Sequence, residues 1–510
     1  MANPKPSIKI RGEFCIESRP ASCGMVIFGA SGDLMARKLL PALFTLFRRK
    51  LLPARFFVAG SGRSRYSDDA FRLKALDDLN RFAKNFDRPV AERFIEHLVY
   101  QPCSYDDKEG FRRLAGRLEQ LREQFQTGGS VVFYLSTPPA VYALVTEGLS
   151  AAGMLAEDRE RFARVVIEKP FGHDLDSALD LDRGIQRFLE ERQIYRIDHY
   201  LGKETVQNLL MFRFANAIFE PLWNRQYIDH VQITVAESIG VGQRAGYFEQ
   251  AGIMRDMFQN HLLQMLAMIA KEPPASFEAD RVRDERVKLL RSIRPIRVEE
   301  AARYFVRGQY VAGTVGGKVT PGYLEEDNVA PHSRTETFVA ARLMIDNWRW
   351  QGVPFYLRSG KRLARRVSEI AITFKRVPHS MFSPIGPDEL LPNTLVFTVQ
   401  PDESVSLHIQ AKHPGPHLCM SHLKMDFVYS EVFEEQPPEA YERLLLDTML
   451  GDQTLFVRHD DMAVAWSLIT PLLHHWDSGG GALHPYEPGG SGPDEAHDLI
   501  ARDGRAWRPI

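Results

Sequence analysis

Met25-Val26-Ile27-Phe28-Gly29-Ala30-Ser31-Gly32-Asp33-Leu34 is the stretch that decides the fold. A short apolar strand runs straight into glycine, and a helical pattern follows from about Asp33 to Arg49. Glycines between a strand and a helix let the backbone approach a pyrophosphate, while the helix N-terminus offers free N–H groups and partial positive charge. The full G-x-G-x-x-G pattern is not met, because Ile27 stands where its first glycine would be. A tight turn without a ligand would use the same glycines. Pro41 falls inside the helical pattern and is expected to kink or divide it.

Outward from that loop the same alternation continues. Phe56–Ala59 makes a second strand ending in Gly60-Ser61-Gly62, and helical patterns cover 68–85 and 107–126. Val131–Leu135 is an uninterrupted apolar strand, a helix spans about 139–152, and Arg164–Glu168 is apolar again. Strands separated by helices predict a doubly wound parallel sheet over 24–200, its strands apolar throughout because both faces are covered. Beyond about 205 the pattern changes. Ile228–Glu237 alternates, and β-patterned stretches recur at 334–345, 367–377, 393–401 and 403–412. Helices are expected near 249–271, 296–307 and 438–451, and the Gly/Pro-rich stretch Ser478–Gly492 is expected to be loop. The predicted organisation is an N-terminal extension over 1–22, a Rossmann-like α/β domain over 23–204, and an α+β domain over 205–510. The last is built on a large, mostly antiparallel sheet.

Composition excludes several classes. The chain has 510 residues, enough for two to three domains at roughly 150 residues each. A net charge of −2 offers no global field for nucleic acid or an anionic membrane, so any basic site must be local. Cys15, Cys23, Cys103 and Cys419 form no C-x-x-C pair, which suits reduced thiols and a cytoplasmic protein. No apolar signal segment opens the chain, and Leu262–Ala270 is too short to span a bilayer.

Three places carry candidate chemistry. Arg196-Ile197-Asp198-His199-Tyr200-Leu201-Gly202-Lys203-Glu204 supplies a carboxylate, an imidazole, a phenol and an ammonium within a few positions. Asp198 could orient a base while His199, Tyr200 and Lys203 hold a dianionic phosphate; a solvated charged loop would have the same composition. At the end of the second strand, where NAD enzymes place an acid for the ribose hydroxyl, the sequence is Gly62-Arg63-Ser64-Arg65. An arginine there attracts a 2′-phosphate, so NADP is favoured over NAD, with the degree of NAD use left open. His261 shares a helical face with Met257 and Met265. It is a candidate general base by its pKa range, and equally a candidate core histidine.

Taken together these motifs resemble the glucose-6-phosphate dehydrogenase family, from about Met25 to Trp476. The matching stretches include Gly29–Leu34, Glu168-Lys169-Pro170-Phe171-Gly172, Arg196–Glu204, Arg255-Asp256, His261-Leu262-Leu263-Gln264 and Leu357-Arg358-Ser359-Gly360-Lys361. The resemblance implies oxidation of glucose 6-phosphate at carbon 1 with NADP and no metal. It implies His261 as the base and Asp198 as its orienting partner. His199, Tyr200 and Lys203 would hold phosphate. Glu237, Asp256, Lys361 and Lys169 would bind the sugar, with Lys38 and Arg366 as further basic positions. Gly29, Ala30, Ser31, Gly32, Asp33, Leu34, Arg63, Tyr134 and Lys169 would serve the cofactor. It implies a cis peptide before Pro170, and a homodimer or tetramer joined through 205–475. Some members bind a second NADP through a lysine and an aromatic residue at positions that here are Ala236 and Ser406. The competing readings are a non-catalytic paralogue that senses sugar phosphate or nucleotide, and an enzyme for an unphosphorylated hexose.

Overall fold

The computed structural model describes residues 19–382, 385–417, 419–433 and 437–510. The expected extension over 1–22 and Cys15 therefore lie almost wholly outside the described residues. Six parallel strands form the first sheet: β1 (Cys23–Phe28), β2 (Phe56–Gly62), β3 (Leu98–Pro102), β4 (Val131–Leu135), β5 (Ala163–Ile167) and β6 (Ile194–Arg196). Their order is β3-β2-β1-β4-β5-β6. The winding reverses between β1 and β4, and ligands of such sheets bind at the carboxyl ends beside that reversal. The loop after β1, Arg63 after β2, Lys169 after β5 and Asp198 after β6 all leave the sheet at this edge. Cover on both faces accounts for the apolar strands, and β1 is buried at every residue.

The helix after the glycine loop is divided as Pro41 predicts. A π-helical turn, Met35–Leu39, passes into an α-helix, Leu40–Arg48, with the proline just past the junction.

The second sheet has nine strands. These are β7 (Ile228–Ala236), β8 (Phe305–Tyr310), β11 (Phe338–Met344), β12 (Pro354–Gly360), β13 (Val367–Phe374), β14 (Thr394–Gln400), β15 (Ser404–Lys412), β16 (Met420–Val428) and β17 (His484–Tyr486). A separate hairpin, β9 (Gly313–Val315) and β10 (Lys318–Thr320), stands apart from it. The order is β16-β15-β14-β13-β7-β12-β11-β8-β17, antiparallel except where β12 meets β7 and β17 meets β8.

Two expectations are corrected here. The helix expected over 296–307 is a short turn ending at Tyr304, and Phe305–Tyr310 is a strand. Its Phe, Val and Tyr side chains suit a strand pairing with β11 better than a helix. Within the tail expected to be loop, His484–Tyr486 adds to the sheet beside β8. The helical region near 249–271 is present but interrupted. Ala245–Ile253 breaks at Gly252 (φ 60°), a π-helix spans Met254–Leu262, and an α-helix continues over Leu263–Ala270. At Gly252 an added Cβ would lie 2.3 Å from Glu336 Oε1, the oxygen that accepts from Met254 N–H.

Candidate active site

The interrupted helix places His261 against the loop that leaves β6. His261 Nδ1 and Asp198 Oδ1 are 2.5 Å apart, both residues being buried. Asp198 Oδ1 also accepts from Tyr200 N–H at 2.9 Å. Burial would raise the Asp198 pKa, but the His261 and His199 imidazoles and the Tyr200 N–H hold it down to about 2. Burial is also the first influence on His261 and lowers its pKa, with the Lys169 ammonium, against the pull of Asp198. The imidazole is therefore neutral near pH 7, with its proton on Nδ1 facing the carboxylate and a lone pair on Nε2. That lone pair is engaged: Lys169 Nζ donates to it at 2.9 Å.

Lys169 also donates to the Asp256 carbonyl at 2.9 Å and lies 3.3 Å from Asp256 Oδ1. The chain of charge continues. Lys361 Nζ pairs with Glu237 and lies 4.0 Å from Asp256 Oδ2. Sheet register produces this, because β7 and β12 end side by side with Ala236 opposite Gly360, so the next residues of each strand adjoin. The Lys169–Pro170 peptide is cis. Asp198, His199 and His261 have potential ligand atoms within 4.8 Å of one another. A metal ion there would have to displace the proton between Asp198 and His261 and sit beside the Lys169 ammonium, so the cluster suits proton transfer.

On the other side of the dyad, the Tyr200 ring stacks on His261 with centroids 4.4 Å apart, and His199 meets it edge-on at 4.5 Å. Tyr200 OH is 3.3 Å from Ser368 Oγ. Lys203 lies half-buried, and its pKa is lowered by burial first, then by the nearby Lys38 and Arg366 cations, against Glu403 and Glu439. The fold thus gathers three cations from distant parts of the chain. Lys38 Nζ is held 3.0 Å from Glu439, and Arg366 donates to Gln400 Oε1 at 3.1 Å. Mutually repelling cations in a partly desolvated place suit a multiply charged anion.

At the first sheet's carboxyl edge, Gly29 has φ +80°, and a Cβ there would lie 2.1 Å from Ser136 O. The glycine thus serves the close packing of β1 and β4 ends as well as the turn. Gly29 and Ala30 N–H donate to Ser61 O at 2.8 and 3.2 Å. Ser31, Gly32 and Asp33 are exposed, Leu34 is half-buried, and Arg63 is exposed just past β2. Asp33 pairs with Arg37 one turn on, at 2.5 Å, which keeps its carboxylate occupied. This edge offers an exposed glycine turn at a helix start, a hydroxyl and an arginine, which fits a dinucleotide carrying an extra phosphate.

Tyr134 is placed differently from the other cofactor candidates. It is wholly buried in β4, and its hydroxyl donates to Glu168 Oε1 at 2.5 Å, so its hydrogen bond is made to protein. Sequence reasoning missed two groups. Glu168, known only as the start of a turn, is a buried carboxyl bonded by Tyr134 and Tyr441, its pKa raised by burial. Tyr441, whose ring stands parallel to His199 with centroids 6.4 Å apart, carries no local sequence signal. At the positions bearing on a second NADP, Ser406 donates to Asp426 at 2.5 Å. Nearby, the C-terminal residues cover the sheet: Arg508 N–H donates to Gln232 Oε1 at 2.9 Å, and the Arg358 guanidinium lies 4.6 Å from the Trp507 ring centre.

A dinucleotide-type sheet whose carboxyl edge meets a buried neutral imidazole paired to a carboxylate defines a pyridine-nucleotide-linked dehydrogenase. Comparison with known proteins gives the particular family. Residues 26–208 match the glucose-6-phosphate dehydrogenase NAD binding domain, and 210–508 match its C-terminal domain. A glucose-6-phosphate 1-dehydrogenase of Aggregatibacter actinomycetemcomitans is 49% identical over 489 residues, covering 96% of this chain and 97% of the relative. That of Bacillus subtilis is 42% identical, covering 95% and 97%. Among solved structures, a glucose-6-phosphate dehydrogenase in complex with its substrate glucose 6-phosphate superposes with a TM-score of 0.88 at 36% identity, covering 97% of this chain and 100% of that one. The chain belongs to the glucose-6-phosphate dehydrogenase family.

Proposed function

We propose that the chain oxidises glucose 6-phosphate at carbon 1 to the lactone, with NADP as hydride acceptor. The observation that carries this reading is the 2.5 Å contact of Asp198 with His261, which puts the imidazole proton on Nδ1 and leaves Nε2 as the nitrogen with a lone pair. His261 Nε2 takes the proton of the carbon-1 hydroxyl, and Asp198 fixes the tautomer and stabilises the imidazolium that forms. When bound, NADP supplies a nicotinamide that accepts the hydride. Lys169, now on Nε2, must shift to let the sugar in, and its second partner, Asp256, gives it somewhere to remain. Glu237, Asp256 and Lys361 bind sugar hydroxyls. His199, Tyr200 and Lys203, with Lys38 and Arg366, receive the phosphate, which also disfavours an unphosphorylated hexose. A sensing paralogue without activity would have no need of a neutral base paired to a carboxylate. Gly29, Ala30, Ser31, Gly32 and Leu34 cradle the pyrophosphate, and Arg63 takes the 2′-phosphate.

In this reading residues 23–204 form the cofactor domain, and 205–510 form the substrate and dimerisation domain. A homodimer is supported by the outer strand β16, whose Leu423 and Met425 are 45% and 57% exposed. Among the described residues no helix is long and apolar enough to cross a membrane. Cys23, Cys103 and Cys419 are free, which supports a cytoplasmic location.

The test is His261→Asn, followed by reduced-nucleotide absorbance with glucose 6-phosphate. General-base catalysis contributes about 10²–10⁴-fold, so kcat should fall by at least about a hundredfold while KM changes little. A variant retaining more than about a tenth of the wild-type rate would remove His261 from the role of base.

A further inference from the structure

Asp198 and His261 reach each other from separate elements, the loop after β6 and the π-helical turn. A π-helix is a loosely wound and rare form, and on the Asp198 side Oδ1 takes the Tyr200 N–H while Oδ2 is buried with no hydrogen-bond partner among the described residues. One short segment, Gln453–Asp461, grips both.

At one end, Gln453 Nε2 donates to Ile194 O at 2.9 Å and to Glu191 O at 3.1 Å, while Val457 N–H donates to Arg196 O at 3.0 Å. These bonds fix β6, two residues before Asp198. At the other end, Asp461 Oδ1 accepts from Gln264 Nε2 at 2.8 Å. Gln264 lies three residues after His261, in the first turn of the α-helix that ends the π-helical stretch. The segment is itself pinned by Arg286, fully buried, which donates to Phe456 O at 2.6 Å and lies 3.0 Å from Asp461 Oδ2. Arg283 holds Gln453 Oε1 at 3.1 Å. The gripping bonds lie in the buried interior, where hydrogen-bond geometry is held most firmly.

We propose that Gln453–Asp461 is the positioning element of the dyad, with Gln264 and Gln453 as its positioning residues. It sets the distance and angle between Asp198 and His261 without touching the substrate. The proposal rests on the assignment of these two residues as orienting partner and base. Displacing a catalytic group by an ångström from a distance costs on the order of a hundredfold. Loosening either grip should therefore lower kcat and leave KM nearly unchanged.

The experiment measures Gln264→Met and Gln453→Met alone and each combined with Asp198→Asn. Methionine preserves length and burial and removes the amide. Each single variant is expected to lose about ten- to a hundredfold in kcat, with both Michaelis constants within about twofold. In the Asp198→Asn background the same change should cost little more, because the orienting carboxylate is already gone. Losses that multiply in full would overturn the proposal, as would a single-variant kcat equal to wild type. If Asp198→Asn alone kept the wild-type kcat, the dyad assignment would fall and the proposal with it. Should Gln264→Met fail to fold, Gln453→Met carries the same comparison from the other end.

Discussion

Replacing Lys271 by methionine should stabilise the protein, most strongly at and below neutral pH. Lys271 closes the helix Leu263–Ala270, is fully buried, and its Nζ has no hydrogen-bond partner among the described residues. The ammonium lies 5.9 Å from the Phe214 ring centre. Burial first, then the Arg286 and Arg213 guanidinium groups, bring its pKa down from 10.5 to about 7. In the unfolded chain it titrates near ~10.4. Between the two values the unfolded chain binds more protons, so wild-type stability rises with pH across that window. Below about 7 the full cost of the buried charge is present, and above ~10.4 it is gone. Each pH unit of displacement is worth ~1.4 kcal/mol, which sets an upper bound of ~5 kcal/mol. Local relaxation and water entry reduce it, and apolar replacement of buried ions stabilises by about 1–4 kcal/mol. Methionine keeps the length of the stem, and the Lys271 carbonyl still accepts from Arg213. Thermal unfolding of both proteins at about pH 6.5 and about pH 9.5 should show the larger gain at the lower pH. An equal gain at both, or a loss at the lower, would refute the reasoning.

Lys203→Ala should raise the Michaelis constant for glucose 6-phosphate about tenfold or more, since a charged hydrogen bond is worth about 1.5–3 kcal/mol; activity on unphosphorylated glucose should scarcely change. The acid limb of kcat/KM against pH should fall below the ordinary imidazole value of about 6.5, because burial lowers the His261 pKa and the neutral base is needed. A limb above that value would point to a different base. Light scattering at micromolar concentration should give at least twice the 58.1 kDa chain mass, and an active monomer would exclude the interface.

Local patterning made the first sheet legible. Met25–Phe28, Phe56–Ala59 and Val131–Leu135 are apolar runs set by burial on both faces, and each is a strand. The second sheet was harder, since its strands depend on partners distant in sequence. Phe305–Tyr310 sits beside a helical pattern and pairs with β11, while β16 does alternate (Leu423, Met425 and Phe427 against Lys424 and Asp426) but is an outer strand whose middle is exposed. Motif spacing marked Asp198 and His261, but not their contact, which spans 63 positions. Tyr441, Glu168 and the Lys169 contact with Nε2 follow from tertiary placement alone.

On the proposed assignment of His261, that last contact gives the resting protein a shielded base. With an ammonium capping the lone pair, His261 has little reason to exchange protons with stray water or to bind an adventitious metal ion. The sugar hydroxyl must therefore compete with an intramolecular donor, and part of its intrinsic affinity goes into parting lysine from imidazole. In that reading recognition and activation become one event, in which the correct ligand uncovers the atom proposed to deprotonate it.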